Sequence, residues 1–367
     1  MKEIKICHVV SGLKSGGVES MIYNYCKLIK EENIKWHILY QHEPDKKKLK
    51  EFEKIGFKLK RIPSKRKHLI KNFLESYKYF KKYDIDIVHA HMNIMNFIPL
   101  IAAKMAKVKC RISHSHSCCL NETYLKKIFF KFLKKVIINY STMLIACGER
   151  AGKYLYGKNK FIILNNAIDL KKFSYNDRKR KELRKKLKIS ESDFVIGHVG
   201  RFSYPKNQEF LVKLFYLLKE NNRNIKLILI GEGDDFLKIK SIVKAQDYNQ
   251  NIFFPGTVDN VNDYYSCFDI FLLPSFWEGL PVAGIEAQVS GLYCIFSDGI
   301  DRSVILSKQQ CEFCELELEK WIKKLEELMK NKKEIDRKKV TISNEYDIYS
   351  QSKKLYRLYL ENWSEKR

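Results

Sequence analysis

No stretch of this chain approaches the roughly 20 consecutive apolar residues that span a bilayer as a helix, which excludes a helical membrane span. No export signal is expected either, since Met1-Lys2-Glu3-Ile4-Lys5-Ile6 runs directly into an expected strand. Without export, the ten cysteines are not expected to form a disulfide framework. Zinc spacing is also wanting. Cys311-Glu312-Phe313-Cys314 has no second pair, and Cys118-Cys119 beside His114 and His116 does not supply four well-spaced ligands. Most thiols therefore read as small core residues. The glycines never take the G-x-G-x-x-G spacing of a dinucleotide fold, which counts against NAD. Acidic residues are scarce in one half only. Residues 1–165 hold 13 against 34 basic ones, whereas residues 166–367 hold 30 against 35, and the formal net charge is +26. A first half of that kind attracts polyanions: nucleic acid, anionic lipid headgroups or phosphorylated substrates. The plainer alternative is a set of solvated lysine faces.

What is there is a soluble α/β pattern. With 367 residues, 45% of them hydrophobic, the chain can fill two cores. Apolar runs at Ile4–Val10, Trp36–Tyr40, Ile85–His89, Thr142–Ala146 and Phe161–Leu164 form one series of expected strands. Phe194–Val199, Lys226–Ile230, Ile252–Phe254, Ile270–Leu273 and Tyr293–Phe296 form a second. Helical segments separate most of them, which predicts two Rossmann-like, doubly wound parallel sheets. The polar stretch 169–193, with Arg178-Lys179-Arg180-Lys181, is expected to carry the boundary and a solvated first helix of the second domain.

Four constellations could carry chemistry. The first is a pair of glutamates eight residues apart, Glu278 and Glu286, after the strand Ile270–Leu273. Gly279 and Pro281 between them mark a turn and a helix start. Glu278 is then placed at a strand's carboxyl end, where open α/β sheets bind ligands. Two carboxylates would accept from hydroxyls while amides at the helix start donate to phosphate, a combination that suits a nucleotide sugar. The second is Gly200-Arg201 with Lys206-Asn207, two cations at another strand end, able to neutralise a diphosphate. The third is Gly16-Gly17 between the first strand and helix, either a close-approach loop for an anion or simply a tight turn. The fourth is the helix Tyr124–Ile138, with Lys127, Lys131, Lys134 and Lys135 beside a stripe of Phe129, Phe132, Leu133 and Val136. It reads as a basic amphipathic helix lying in a membrane interface, or as one packing a single face on the core. Lys65, Arg66, Lys67 and Lys71 could act with it. Histidines pair at His89/His91 and His114/His116, each two apart and so on one face of a strand. Three of them read as structural, and His116, ending its strand, is the one placed to meet a ligand.

These residues resemble the retaining GT-B glycosyltransferases of family 4 (glycosyl transferases group 1). Phe276-Trp277-Glu278 through Glu286 matches the family's E-x7-E motif, and Arg201 with Lys206 matches its arginine–lysine pair. Gly16-Gly17-Val18-Glu19 looks like its GG-x-E loop. Asn165-Asn166-Ala167-Ile168-Asp169 looks like its N-G-I-D segment, with alanine for the usual glycine. Gly231-Glu232-Gly233 and Pro255-Gly256-Thr257 also fit, so the resemblance runs along the whole chain in order. Arg111–His116 and Gly284–Gln288 are similar to the branch that builds capsular and exopolysaccharides. One departure stands after Ser297-Asp298-Gly299-Ile300, where Asp301-Arg302-Ser303 replaces a frequent glutamate.

The resemblance implies two Rossmann-like domains facing across a cleft. Residues 1–165 would form the acceptor side, completed by a C-terminal helix in 345–367, and residues 166–344 the donor side. It implies that Arg201 and Lys206 hold the donor diphosphate and that Glu286 bonds the ribose. Glu278 would contact the donor sugar near the amides of Gly279 and Leu280, and His116 would sit beside the transferred sugar. Gly16-Gly17 would close over the ligands, and the loop around Gly256 would receive the base. Transfer would retain configuration without metal or cofactor, from a nucleotide sugar, UDP-linked by expectation, to a polyprenyl-diphosphate-linked saccharide. The enzyme would sit in the cytoplasm, peripheral at the inner face of the membrane, with no nucleic-acid partner. A GT-B-type sugar-nucleotide epimerase shares the architecture and stays open at this stage, as does, less well, a basic nucleic-acid-binding protein.

Overall fold

The structure is a computed structural model. It describes residues 3–364 except 15, 117–123, 222–223, 279, 332–336 and 338–342, and of residues 124–127, 221 and 331 the backbone only. The chain divides into two compact units, Met1–Ala167 with Glu345–Arg367, and Ile168–Asn344.

The first unit is built on strands β1 (Ile4–Val9), β2 (Ile34–Tyr40), β3 (Lys58–Arg61), β4 (Ile87–Ala90), β5 (Cys110–Ser115), β6 (Met143–Ala146) and β7 (Ile162–Ile163). They form one sheet in the order β3-β2-β1-β4-β5-β6-β7, every neighbouring pair parallel. Parallel strands covered on both faces need continuous apolar runs, and β4, Ile87-Val88-His89-Ala90, is buried at all four positions. The helix Gly17–Leu28 turns Met21, Ile22, Tyr25 and Cys26 inward at helical spacing. The helix Ile348–Ser364 does the same with Leu355, Leu358 and Tyr359, and both helices share one core cluster with β1 and β2. Each such large apolar side chain contributes about 2 kcal/mol on burial.

The second unit carries β8 (Phe194–Val199), β9 (Ile225–Ile230), β10 (Ile252–Gly256), β11 (Ile270–Leu273), β12 (Tyr293–Ser297) and β13 (Cys311–Cys314), in the order β10-β9-β8-β11-β12-β13. All pairs are again parallel. Gly197 lies against the Phe268 ring, which a Cβ would meet at 2.1 Å, so β8 passes closer to its cover than any other residue would allow.

Three strands escape the apolar-run criterion for physical reasons. β3 is an edge strand with three of four residues exposed. β5 buries Ser113, His114 and Ser115, polar residues in a core setting. The Cys311–Cys314 motif is the edge strand β13, where residues three apart point to opposite faces, so the two thiols do not converge as a ligand set. Cysteines 7, 26, 110, 147, 267, 294 and 311 are buried; Cys118 and Cys119 lie outside the described residues.

The helix expected to be solvated, observed at Asp177–Lys186, is so on one side only. Arg184 is 1% exposed and meets Asp269 at 2.6 Å, and Arg180 meets the other oxygen of the same carboxylate at 2.7 Å. Asp269 also accepts from the Val195 amide at 2.7 Å. The guanidinium groups donate onward to the carbonyls of Ser266, Cys267 and Phe268. A polar sequence thus hides a fully bonded clamp, because arginine's five donors can satisfy a crowded loop that an apolar side chain could not.

Candidate functional site

In the second unit the chemistry gathers at the carboxyl ends of β8 and β11. After β8 the chain passes Gly200 and Arg201 into a short 3-10 turn, Tyr204–Lys206, with Pro205 early in the turn. Asn207 closes it at φ 55°, a left-handed conformation that asparagine tolerates. The turn is held down by the Phe276 amide, which donates to the Pro205 carbonyl at 2.8 Å. This brings Lys206 Nζ to 2.6 Å from Glu278 Oε2. Ser275 Oγ donates to the other oxygen, Oε1, at 2.5 Å. Glu278 itself is anchored through its backbone. Its amide donates to the Gly299 carbonyl at 3.1 Å, and its carbonyl accepts from the Asp301 amide at 3.3 Å. The departure at Asp301 is therefore structural: its side chain caps the Arg302–Val304 turn, and its amide ties that loop to Glu278.

Glu286 is the fifth residue of the helix Val282–Val289, which follows Pro281. Its Oε2 accepts from Tyr265 Oη at 2.7 Å. Desolvation pushes the carboxyl up to about 7, with the tyrosine hydrogen bond and the Lys172 charge opposing it. Arg201 keeps apart from these groups and meets Asp234 at 3.1 Å, both side chains largely exposed. Such a pair contributes well under 1 kcal/mol and yields easily to a competing anion. Gly231 (φ 128°) and Gly233 (φ 158°) press on this loop, where a Cβ would meet the Gly200 and Phe202 carbonyl oxygens at 2.1 and 2.2 Å. Only glycine fits at both positions. Gly256 (φ 74°) accepts from the Gly231 amide at 3.0 Å. Leu280 is half-buried just ahead of the helix start; Gly279 lies outside the described residues.

Of the expected residues, then, Lys206 and Glu278 are joined directly, Glu286 is held by a different partner, and Arg201 pairs with Asp234. Sequence reasoning missed Tyr265 and left Ser275 without a role. Ser275 stands one residue ahead of the Phe276–Glu286 motif; Tyr265 carries no local signal, since only the packing of its helix against Glu286 reveals it.

In the first unit, Gly16 is the N-cap of its helix and offers no side chain to the free amides. A Cβ there would strike Glu19 Oε2 at 2.4 Å, while one on Gly17 would meet open space. His116 follows β5. Its amide donates to Asn93 Oδ1 at 2.8 Å and its Nε2 lies 2.9 Å from His91 Nδ1. Burial holds its imidazole down to about 3, so the ring is neutral at physiological pH. Lys65, expected in a surface cluster, turns inward instead. Its Nζ donates to Ser11 Oγ at 2.7 Å, and burial lowers the ammonium to about 8.

The basic helix, Tyr124–Tyr140, also divides differently from its apparent stripe. Leu133 and Ile137 are buried, whereas Ile128, Phe129 and Phe132 are 56–63% exposed. Lys131 and Lys135 are exposed beside them, and Lys134 stands 3.8 Å over the Tyr154 ring. The side chain of Lys127 lies outside the described residues. Among the described residues no helix is long and apolar enough to cross a membrane.

Residues 15–172 match the family model "Glycosyltransferase Family 4", and residues 179–345 match "Glycosyl transferases group 1". The chain is 32% identical over 310 residues to the putative glycosyltransferase EpsF of Bacillus subtilis, covering 82% of this chain and 80% of that one. This chain is a family 4 glycosyltransferase. The glycosyltransferase is also 30% identical over 365 residues to the capsular polysaccharide biosynthesis glycosyltransferase CapH of Staphylococcus aureus, across 97% of this chain and 99% of that one. Among solved structures it is similar to Anabaena HepE in complex with UDP, at a TM-score of 0.79, 14% identity, and coverage of 98% and 100%. Its two Rossmann-like parallel-sheet units are those of the GT-B fold.

Proposed function

We propose that this glycosyltransferase moves a sugar, a hexose or an N-acetylhexosamine, from a UDP-linked donor to a lipid-linked saccharide in the synthesis of a surface polysaccharide, with retention of configuration. The observation that carries the reading is the Lys206–Glu278 pair, oriented by Ser275 at the carboxyl end of the second sheet. Lys206 and Arg201 bind the diphosphate. Arg201 exchanges the exposed Asp234 for phosphate oxygens, and Lys206 supplies a partly buried point charge. Glu286, facing Tyr265, accepts from the ribose hydroxyls, and Glu278 accepts from a hydroxyl of the donor sugar. The amides at Gly279 and Leu280 donate to the donor, the loop at Gly256 receives the base, and Gly16-Gly17 closes over the ligand. UDP accords with the UDP-bound structural relative, and polysaccharide synthesis with the capsular one.

The transfer balances without a protein nucleophile. The C1–O bond to the β-phosphate breaks as the acceptor hydroxyl bonds to the same face of C1. Its proton passes to the departing phosphate oxygen, leaving UDP and the new glycoside. Arg201 and Lys206 stabilise the charge that grows on the diphosphate, so the residues themselves supply what a metal would otherwise provide in this step. His116, held neutral, offers a hydrogen bond to the transferred sugar. On the first unit, Phe129 and Phe132 with Lys131, Lys134 and Lys135, and with Lys127, dock on an anionic membrane surface at its cytoplasmic face, as a peripheral contact that delivers a polyprenyl-diphosphate acceptor.

The test is a panel of nucleotide sugars read by thermal shift, followed by turnover with the best binder. UDP-linked sugars should stabilise the native chain and fail to stabilise Lys206→Ala and Glu286→Ala. Equal stabilisation of all three proteins would remove the site assignment.

A further inference from the structure

Five histidines of the first unit come together where its sheet changes direction. β1 and β4 are neighbours although some 80 residues separate them, and the order β3-β2-β1-β4-β5 reverses between them. At such a switch point the chain connections diverge on either side and leave a crevice beyond the strand ends. His8 lies on β1 in register with His89 on β4; His91 follows β4; His114 lies on β5 and His116 just past it. Their rings touch through nitrogens. His8 Nδ1 is 3.0 Å from His91 Nε2, His91 Nδ1 is 2.9 Å from His116 Nε2, and His114 Nδ1 is 3.3 Å from His89 Nε2. His89 Nδ1 is 2.8 Å from Tyr359 Oη, and His8 Nε2 is 3.7 Å from Cys26 Sγ. One atom is left over: His114 Nε2 is fully buried and has no hydrogen-bond partner among the described residues. A buried polar atom without a partner is costly and calls for an explanation. One ring nitrogen each of His91, His114 and His116 lies within 4.8 Å of the others.

We propose that His91, His114 and His116 form a three-imidazole site for a zinc-class divalent cation. The ligand atoms are His91 Nδ1, His114 Nε2 and His116 Nε2. The proton accounting then closes on the observed contacts. His91 Nε2–H donates to His8 Nδ1, and His8 Nε2–H faces Cys26 Sγ. His114 Nδ1–H donates to His89 Nε2, and His89 Nδ1–H donates to Tyr359 Oη. Metal-bound histidines characteristically donate their second N–H in this way, which fixes tautomer and ring orientation. Here two further histidines serve as those acceptors, which explains why five are gathered where three suffice. An ion at 2.0–2.1 Å from each ligand in tetrahedral geometry separates the nitrogens by about 3.3 Å. The His91–His116 contact therefore opens by a few tenths of an ångström and His114 Nε2 gains its partner. An all-nitrogen set favours zinc, cobalt or nickel over magnesium or calcium. The fourth position is left for water or a ligand oxygen, and His116 Nδ1–H remains a donor for the sugar contact assigned above. His116 is shared with that sugar contact, but no ligand comes from the residues assigned to UDP, so metal binding and UDP binding are read separately.

The experiment strips the full chain with a chelator and titrates it with cobalt(II), then with zinc(II) as competitor. Expected are intense visible bands of tetrahedral cobalt that saturate at one equivalent, lie free of the near-ultraviolet charge transfer that cysteine ligands produce, and are bleached by zinc. His91→Gln and His116→Gln should each lose the bands. His8→Gln, which removes only an acceptor, should weaken binding about 10- to 100-fold, and His37→Gln, elsewhere in the sheet, should bind as the native chain does. UDP thermal shift on the same samples reports the donor site independently and confirms that each variant is folded. A native chain with no tetrahedral bands, bands carrying thiolate charge transfer, or binding that survives in both His91→Gln and His116→Gln would overturn the proposal.

Discussion

The two units share a fold and solve opposite electrostatic problems. In the first, titratable groups go inside and stay neutral. His8 and His116 are held down to about 3 by desolvation, and His89, His91 and His114 lie well below the ordinary imidazole value for the same reason, with neighbouring imidazoles adding to it. In the second, cations are set against carboxylates. Lys206 is set against Glu278, and Arg180 and Arg184 are set against Asp269. The difference teaches where each unit can meet a ligand's charge. Paired cations at strand ends can exchange a carboxylate for a phosphate at little cost, whereas a nest of neutral imidazoles can only coordinate or hydrogen-bond.

The largest effect that would sharpen this contrast is in acid. A base whose native pKa is depressed binds fewer protons folded than unfolded, so stability is full above about 6.5 and falls as pH drops toward the native value. Five such histidines should cost the first unit several kcal/mol between pH 6.5 and 4. Fluorescence from Trp36 should report unfolding before Trp321 of the second unit does. Simultaneous loss of both signals would break the comparison. Lys206→Ala should lower turnover by about 10²- to 10³-fold with the circular dichroism unchanged, since it removes charge stabilisation at the leaving group. Asp269→Ala strands two arginines and should cost about 3 kcal/mol in urea unfolding, a loss confined to the second unit. Glu286 runs the opposite way to the histidines. Its carboxyl is raised to about 7, so the native state holds a proton that the unfolded chain has lost, and its contribution to stability falls between pH 4.5 and 7. UDP affinity should rise several-fold between pH 6 and 8 as the carboxylate forms, and Glu286→Gln should flatten that rise in isothermal titration. Smallest is the surface: removing Lys131 and Lys135 should weaken binding to anionic vesicles by about 1 kcal/mol per lysine, and no change in cosedimentation would return that helix to a solvated face.

Much of this was legible before any coordinates. The strand series, the two-unit architecture and the placement of Glu278 and Lys206 at strand ends follow from apolar runs and turn residues, which are local signals. The rest depends on neighbours distant in sequence. Asp269 gives no hint that it gathers Arg180 and Arg184 from 89 and 85 residues away. Phe129 and Leu133 look alike on a helical stripe, yet one is exposed and the other buried, because only the neighbouring elements decide which side is covered. Lys65 reads as one of a basic cluster and turns inward to Ser11, since a long side chain can follow its stem into a half-buried site.

The histidines mark the boundary most clearly. Sequence alone determined that His89/His91 and His114/His116 each share a face, because a strand repeats every two residues. It determined the family too, because the charged and glycine positions stand in order along the chain. Only the tertiary structure decided that both pairs meet His8, since adjacency of β1, β4 and β5 is set by the order of strands in a sheet. That order comes from crossover packing over some 80 residues, which no local pattern encodes.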